Sequence, residues 1–136
     1  MHNKLIIYTD GGARGNPGPA GIGAVIYDSE QNKIAEISEY IGETTNNQAE
    51  YKAVLAAILK ARSLGAYELE FNLDSELVAS QLCGDFKIKN KELAPLFVKI
   101  YNATLSFKRV IFKYIPREKN READKLVNQA LDRAGK

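Results

Sequence analysis

Four acidic residues stand where carboxylates could do chemistry together: Asp10, Glu50, Asp74 and Asp124. Asp10 and Asp74 each close a short apolar run, "LIIYTD" and "LEFNLD", that reads as a buried strand. In open α/β sheets, ligands gather at the carboxyl ends of parallel strands, so parallel neighbours would set these two acids side by side. Adjacent carboxylates repel and raise each other's proton affinity unless a cation lies between them. Oxygen-only donors of this kind suit a hard divalent cation. Glu50 shares a helical face with Val54, Ala57, Ile58 and Ala61, and Asp124 shares one with Val127 and Leu131. Both acids therefore point inward near a helix start, where a carboxylate reaches the rim of a core without full burial. Each acid also has a purely structural reading. Asp10 could anchor an Asx turn, Glu50 could close a capping box with Asn47, Asp74 could cap the helix that begins at Ser75, and Asp124 could complement a helix dipole.

The elements that must carry these acids follow from the pattern. Strands are expected over residues 4–10, 21–28, 33–41, 69–73 and 109–115, and helices over 44–65, 75–84, 90–105 and 120–135. Thr45, Asn46 or Asn47 can cap the first helix, and Gly65 stops it. The order βββαβααβα implies an α/β fold with a mixed sheet, an antiparallel meander joined to parallel strands and covered by helices. Between the first two strands lies a glycine-rich segment of about ten residues, whereas a hairpin needs two to five. Such a segment reads either as an irregular surface turn or as backbone that must approach a ligand closely.

Composition narrows the function. The 136 residues suit one domain, 1–136, with 45% hydrophobic and 26% charged residues. No apolar run approaches the roughly 20 residues that cross a bilayer, and the short run after the N-terminus is too brief for a signal peptide. One cysteine, Cys83, forbids an internal disulfide and agrees with a cytoplasmic location; it is expected to be a small buried hydrophobe. The one histidine, His2, is placed at a frayed end, which argues against a Cys/His zinc site or a histidine-activated nucleophile. A net charge of +2 is only a faint pointer to an anionic partner.

The segments "YTDGGARGNPGPAGIGAVI", "TTNNQAEYKAVLAAI", "LDSELV" and "PREKNREADKLVNQA", in this order and spacing, resemble type 1 ribonuclease H across nearly the whole chain. The resemblance implies the ribonuclease H-like fold: a five-stranded mixed sheet of order 3-2-1-4-5 with helices on both faces. It implies hydrolysis of the RNA strand of an RNA–DNA hybrid by two Mg²⁺ or Mn²⁺ ions, giving 5′-phosphate and 3′-hydroxyl ends. Its four metal-binding acids fall on Asp10, Glu50, Asp74 and Asp124, with Asp10 the candidate bridging ligand. Its hybrid contacts fall on Gly11, Gly15, Asn16, Thr45, Asn46 and Asn47, and the loop would lie in the RNA minor groove, where 2′-hydroxyls are displayed. Asn16, Asn46 and Gln48 can donate and accept, which suits a hydroxyl or a base edge. Asn46, with a free N–H behind it at a helix start, suits a DNA-strand phosphate.

Three departures from the family stand out. The loop before the last acid, "YIPREKN", has no histidine; Arg117 is there instead, as a solvated charge or a phosphate-neutralising group. The basic protrusion of some bacterial relatives is missing, and only "GDFKIKNK" spans the gap. Lys87, Lys89 and Lys91 in it read as a solvated face or as phosphate contacts. Glu76 occupies a position where relatives often have Gln, a departure at an expected minor-groove contact. The expected partner is the hybrid, with double-stranded RNA left open, no membrane, and a monomeric state. An inactive binding module or a different nuclease on the same fold are the alternatives.

Overall fold

The computed structural model describes residues 2–84, 88 and 90–136. Five strands form one sheet: β1 (His2–Ala13), β2 (Gly18–Asp28), β3 (Lys33–Thr44), β4 (Ala66–Leu73) and β5 (Arg109–Tyr114), in the order β3-β2-β1-β4-β5. The helices are α1 (Asn46–Ser63), α2 (Glu76–Leu82), α3 (Ala94–Thr104) and α4 (Arg121–Arg133), with a short 3₁₀ turn at Arg117–Lys119. β1 runs antiparallel to β2 and parallel to β4, and β4 is parallel to β5. The mixed sheet and its strand order agree with the expectation.

The sheet is covered unequally. On one face Leu5, Ile7, Phe71 and Leu73 meet Tyr51, Val54 and Ile58 of α1 and Ile100 of α3, all essentially inaccessible to water. α4 covers the other face over β2 and β3, where Leu126, Val127, Ala130 and Leu131 are buried. Ser38 on β3 donates its hydroxyl to the Leu126 carbonyl at 2.7 Å, and Arg133 donates to the Ser38 carbonyl at 2.7 Å, so α4 is tied along its length. The parallel pairing of β1 with β4 brings Thr9 beside Leu73, and hence Asp10 beside Asp74.

Several local expectations are corrected. The glycine-rich segment is mostly strand: Gly11, Gly12 and Ala13 pair with Ile22, Gly21 and Ala20, and only residues 14–17 form the connection. His2 is not frayed but sits in β1 opposite Ala66. Cys83 is exposed, and its thiol donates to the Phe112 carbonyl at 3.2 Å. α3 starts at Ala94 rather than near Asn90, because the Asn90 side chain accepts the Glu92 N–H at 2.7 Å and turns the chain first. Lys87 and Lys89 lie outside the described residues; Lys91 is exposed.

Candidate active site

Four elements deliver the four acids to one place. Asp10 projects from β1 at the point where Asp10 pairs with Gly23. Glu50 comes from the first turns of α1, and the approach of that helix depends on Gly11, where an added Cβ would lie 2.2 Å from the Ala49 carbonyl oxygen. Asp124 comes from α4, whose approach depends in the same way on Gly23, where a Cβ would lie 2.4 Å from the Ala123 carbonyl oxygen. Asp74 follows β4. Two glycines in adjacent strands thus let one helix on each side of the sheet press its backbone against the strands. Carboxylates on residues next to the contact points meet at the sheet's end. Gly11 is buried, so its missing side chain serves this helix contact.

The capping readings of Glu50 and Asp74 fail because other residues cap their helices, whereas Asp124 does lie in the first turn of α4. The capping box of α1 is closed by Thr45 and Gln48: each donates its backbone N–H to the other's side-chain oxygen at 3.2 Å. Glu50 is therefore not a cap. The N-cap of α2 is Ser75, which accepts from the Val78 N–H at 3.2 Å, so Asp74 is not a cap either. Asp10 accepts from the next residue's N–H, Gly11, at 3.0 Å, and Glu50 accepts the same N–H at 3.4 Å.

Asp10, Glu50 and Asp74 each present a carboxylate oxygen within 4.8 Å of the others. Asp124 and Arg117 line the same cleft, whose volume is about 360 Å³. Burial, then the charge of Asp74, pushes the Asp10 carboxyl up to about 7. Burial, then the charge of Asp10, holds Glu50 well above the usual carboxylate range. Asp74 is raised by burial, against the opposing pull of the Asn120 hydrogen bond and the Arg117 charge. Like charges crowded in a water-poor cleft are costly unless protons or cations accompany them. Glu50 also keeps one buried oxygen, Oε2, with no hydrogen-bond partner among the described residues. Crowded acids, an unpaired carboxylate oxygen and an all-oxygen donor set fit a hard divalent cation.

Asn120 is a site residue that the sequence reading missed. It is 1% exposed, and its amide donates to the Thr9 carbonyl at 2.8 Å and to Asp74 Oδ2 at 3.0 Å, clamping the ends of β1 and β4 together. The available signal was an asparagine at a helix start, which reads as a cap, yet its side chain makes no cap bond. Arg14 was also missed as a member of the cleft wall.

The β1–β2 turn and the start of α1, which carry most of the residues expected to meet a nucleic acid, are joined beside the acids. Asn16 Oδ1 accepts the Asn46 N–H at 2.9 Å, and Asn46 Oδ1 accepts the Ala13 N–H at 2.8 Å, which locks the β1–β2 turn to the start of α1. The Asn46 N–H is therefore engaged rather than free, contrary to expectation. Gly15 takes φ +101° within that turn. The Gln48 amide donates to Glu92 at 3.0 Å, and Thr44 donates its hydroxyl to Gln48 Oε1. Gly11 and Asn46 belong to the cleft wall. Asn47 is exposed one residue into α1, and Glu76 is exposed in the first turn of α2, outside that wall.

Residues 8–130 match the family described as reverse transcriptase-like. The chain is 42% identical over 132 residues to the bifunctional protein Rv2228c of Mycobacterium tuberculosis, covering 96% of this chain and 36% of that protein. It is thus similar to about a third of the mycobacterial relative's length. It is 32% identical over 149 residues to ribonuclease H of Rickettsia massiliae, covering 98% of this chain and 95% of that one. Among solved structures, LC11-RNase H1 in complex with an RNA/DNA hybrid is similar at 48% identity and a TM-score of 0.92, over 97% of this chain and 99% of that one.

Proposed function

The chain belongs to the type 1 ribonuclease H family, and from that premise we propose that it cleaves the RNA strand of RNA–DNA hybrids, leaving 5′-phosphate and 3′-hydroxyl ends. The observation that carries the reading is the meeting of Asp10, Glu50 and Asp74 within 4.8 Å, with Asp124 on the same cleft. Asp10, Glu50, Asp74 and Asp124 would hold two divalent ions, Mg²⁺ or Mn²⁺, with Asp10 shared between them. When bound, such ions supply the positive charge that activates water and stabilises the leaving 3′-oxygen.

The chain's own residues do the rest. The acids supply the oxygen donors, and Asn120 fixes the Asp74 carboxylate against β1. Arg117, exposed on the 3₁₀ turn and lining the cleft, offsets charge on the phosphate as it develops. Gly15, Asn16, Thr45, Asn46, Asn47 and Gln48 present a rim of amides and hydroxyl beside the acids. Gly11 sits in the cleft wall below, and Glu76 at the start of α2 is a weaker candidate contact. This rim suits the wide, shallow minor groove of an A-like duplex, where 2′-hydroxyls both donate and accept. Lys87, Lys89 and Lys91 are proposed phosphate contacts, and the chain acts as a monomer in the cytoplasm.

The test is a labelled hybrid incubated with the protein and Mg²⁺ or Mn²⁺, beside the Asp10→Asn variant. RNA-strand products from the parent alone support the reading, and their end groups report the direction of bond cleavage. An intact hybrid with the parent overturns it. Double-stranded RNA in the same series tells whether the rim accepts two ribose strands.

A further inference from the structure

We propose that Arg14 is a second phosphate-binding residue of the cleft, held in place by Asp132 until a substrate phosphate takes over. This rests on the hybrid-cleaving reading above. A cleft that gathers four carboxylates repels the polyanion it must receive, so cations have to stand at its edges. The cationic side chains among the described residues lining it are Arg117 and Arg14. They stand at different positions along α4. Arg117 precedes the helix, whereas Arg14 reaches Asn128 and Asp132, one and two turns beyond Asp124. A scissile phosphate held among the acids leaves neighbouring phosphates of the same strand to be met along that line.

The backbone that presents Arg14 is fixed. Its N–H donates to the Pro19 carbonyl at 2.8 Å, closing the β1–β2 turn. Its carbonyl oxygen is so close to Gly18 that a Cβ there would lie 2.3 Å away. The side chain is held loosely by comparison. One guanidinium nitrogen pairs with Asp132 at 2.9 Å and another donates to Asn128 at 3.3 Å. The Arg14 and Asp132 side chains are 37% and 69% exposed, and ion pairs so open to water are weak and exchange partners readily. A guanidinium has five donors in a fork that matches a phosphate, so the exchange trades one solvated carboxylate for a bidentate anion.

The reading makes two variants move in opposite directions. The full chain is titrated without divalent ion, so that no cleavage occurs, against one labelled RNA–DNA hybrid at several salt concentrations. Arg14→Ala weakens binding about tenfold and lowers the slope of log K against log salt by about one. Asp132→Asn, which frees the guanidinium, tightens binding about threefold by the same electrostatic logic. Arg14→Lys keeps the charge and most of the slope, and thermal melting of each variant reports its folding. An unchanged affinity and slope in Arg14→Ala overturns the proposal. So does weakening of the same size in Arg14→Ala and Asp132→Asn, which marks the pair as a staple between the turn and α4. A parent that neither binds the hybrid nor cuts it once Mg²⁺ or Mn²⁺ is supplied overturns the hybrid reading itself; a parent that binds while Arg14→Ala matches it overturns this inference alone.

Discussion

The side-chain amide of Asn120 donates to Asp74 Oδ2 at 3.0 Å. The same nitrogen reaches the Thr9 carbonyl at 2.8 Å, one residue before Asp10, so a single buried group sets the spacing of two metal-binding candidates. Asn120→Ala leaves a buried carbonyl and a half-buried carboxylate without this donor. An unsatisfied buried group costs about 1–3 kcal/mol, which chemical denaturation will register. Asp74 also loses its fixed orientation, so kcat is expected to fall at least tenfold while far-ultraviolet circular dichroism stays that of the parent. Parent-like turnover in a destabilised Asn120→Ala would reduce the amide to a purely structural clasp.

Gly11→Ala tests the contact that carries Glu50. The new Cβ would meet the Ala49 carbonyl at 2.2 Å, and neither partner is a flexible side-chain end. α1 must shift away from β1, at a cost of about 1–3 kcal/mol or more by the usual toll of overpacking. A lowered melting temperature together with weaker metal binding is expected. Unchanged stability would mean that the two backbones do not approach so closely.

Stability of the metal-free protein should fall as pH rises from about 4 to about 7. Asp10 is raised from the ordinary 3.8 to about 7, chiefly by burial and then by Asp74. The unfolded chain gives up this proton near the lower value and the folded protein near the higher one. Between them the folded state binds more protons, so stability declines with pH by up to about 1.4 kcal/mol per unit and levels off above the upper value. Glu50 shifts in the same direction and steepens the decline. Asp10→Asn should flatten the slope and raise metal-free stability at pH 8. Urea denaturation from pH 4 to 8 checks both, and a slope that steepens in Asp10→Asn would contradict the origin assigned to it.

Added Mg²⁺ should raise the melting temperature of the parent by binding the folded state alone. Asp10→Asn should respond much less. An equal response in both proteins would place the ion elsewhere.

Arg117→Ala should lower kcat more than it raises KM, because a cation beside the reacting phosphate acts mainly on the transition state. An unchanged kcat with a raised KM would mark Arg117 as a plain binding residue.

The acids were legible because aspartates closing apolar runs and inward acids on apolar helix faces conflict with ordinary patterning. Leu5, Ile6, Ile7 and Tyr8 make a continuous apolar run, and Leu69, Phe71 and Leu73 alternate with Glu70 and Asn72, so β1 and β4 could be read as strands. The extension of β1 through Gly11–Ala13 could not, since glycines carry no side chains by which alternation is seen. Nor could the role of Gly23, which depends on a helix distant in sequence. Asn120 was hidden by its position at a helix start, where an asparagine ordinarily caps. The engagement of Asn46 N–H by Asn16 was hidden as well, because it depends on a turn folding back onto α1.

The most direct measurement follows uniformly labelled RNA–DNA hybrid, double-stranded RNA, double-stranded DNA and single-stranded RNA with the parent and Asp10→Asn in Mg²⁺ or Mn²⁺. The account predicts that the parent cuts the RNA strand of the hybrid to fragments with 5′-phosphate and 3′-hydroxyl ends, and that Asp10→Asn loses well over tenfold of that rate, more than about 1.4 kcal/mol of barrier. An uncut hybrid with the parent, or equal cutting by Asp10→Asn, would contradict it.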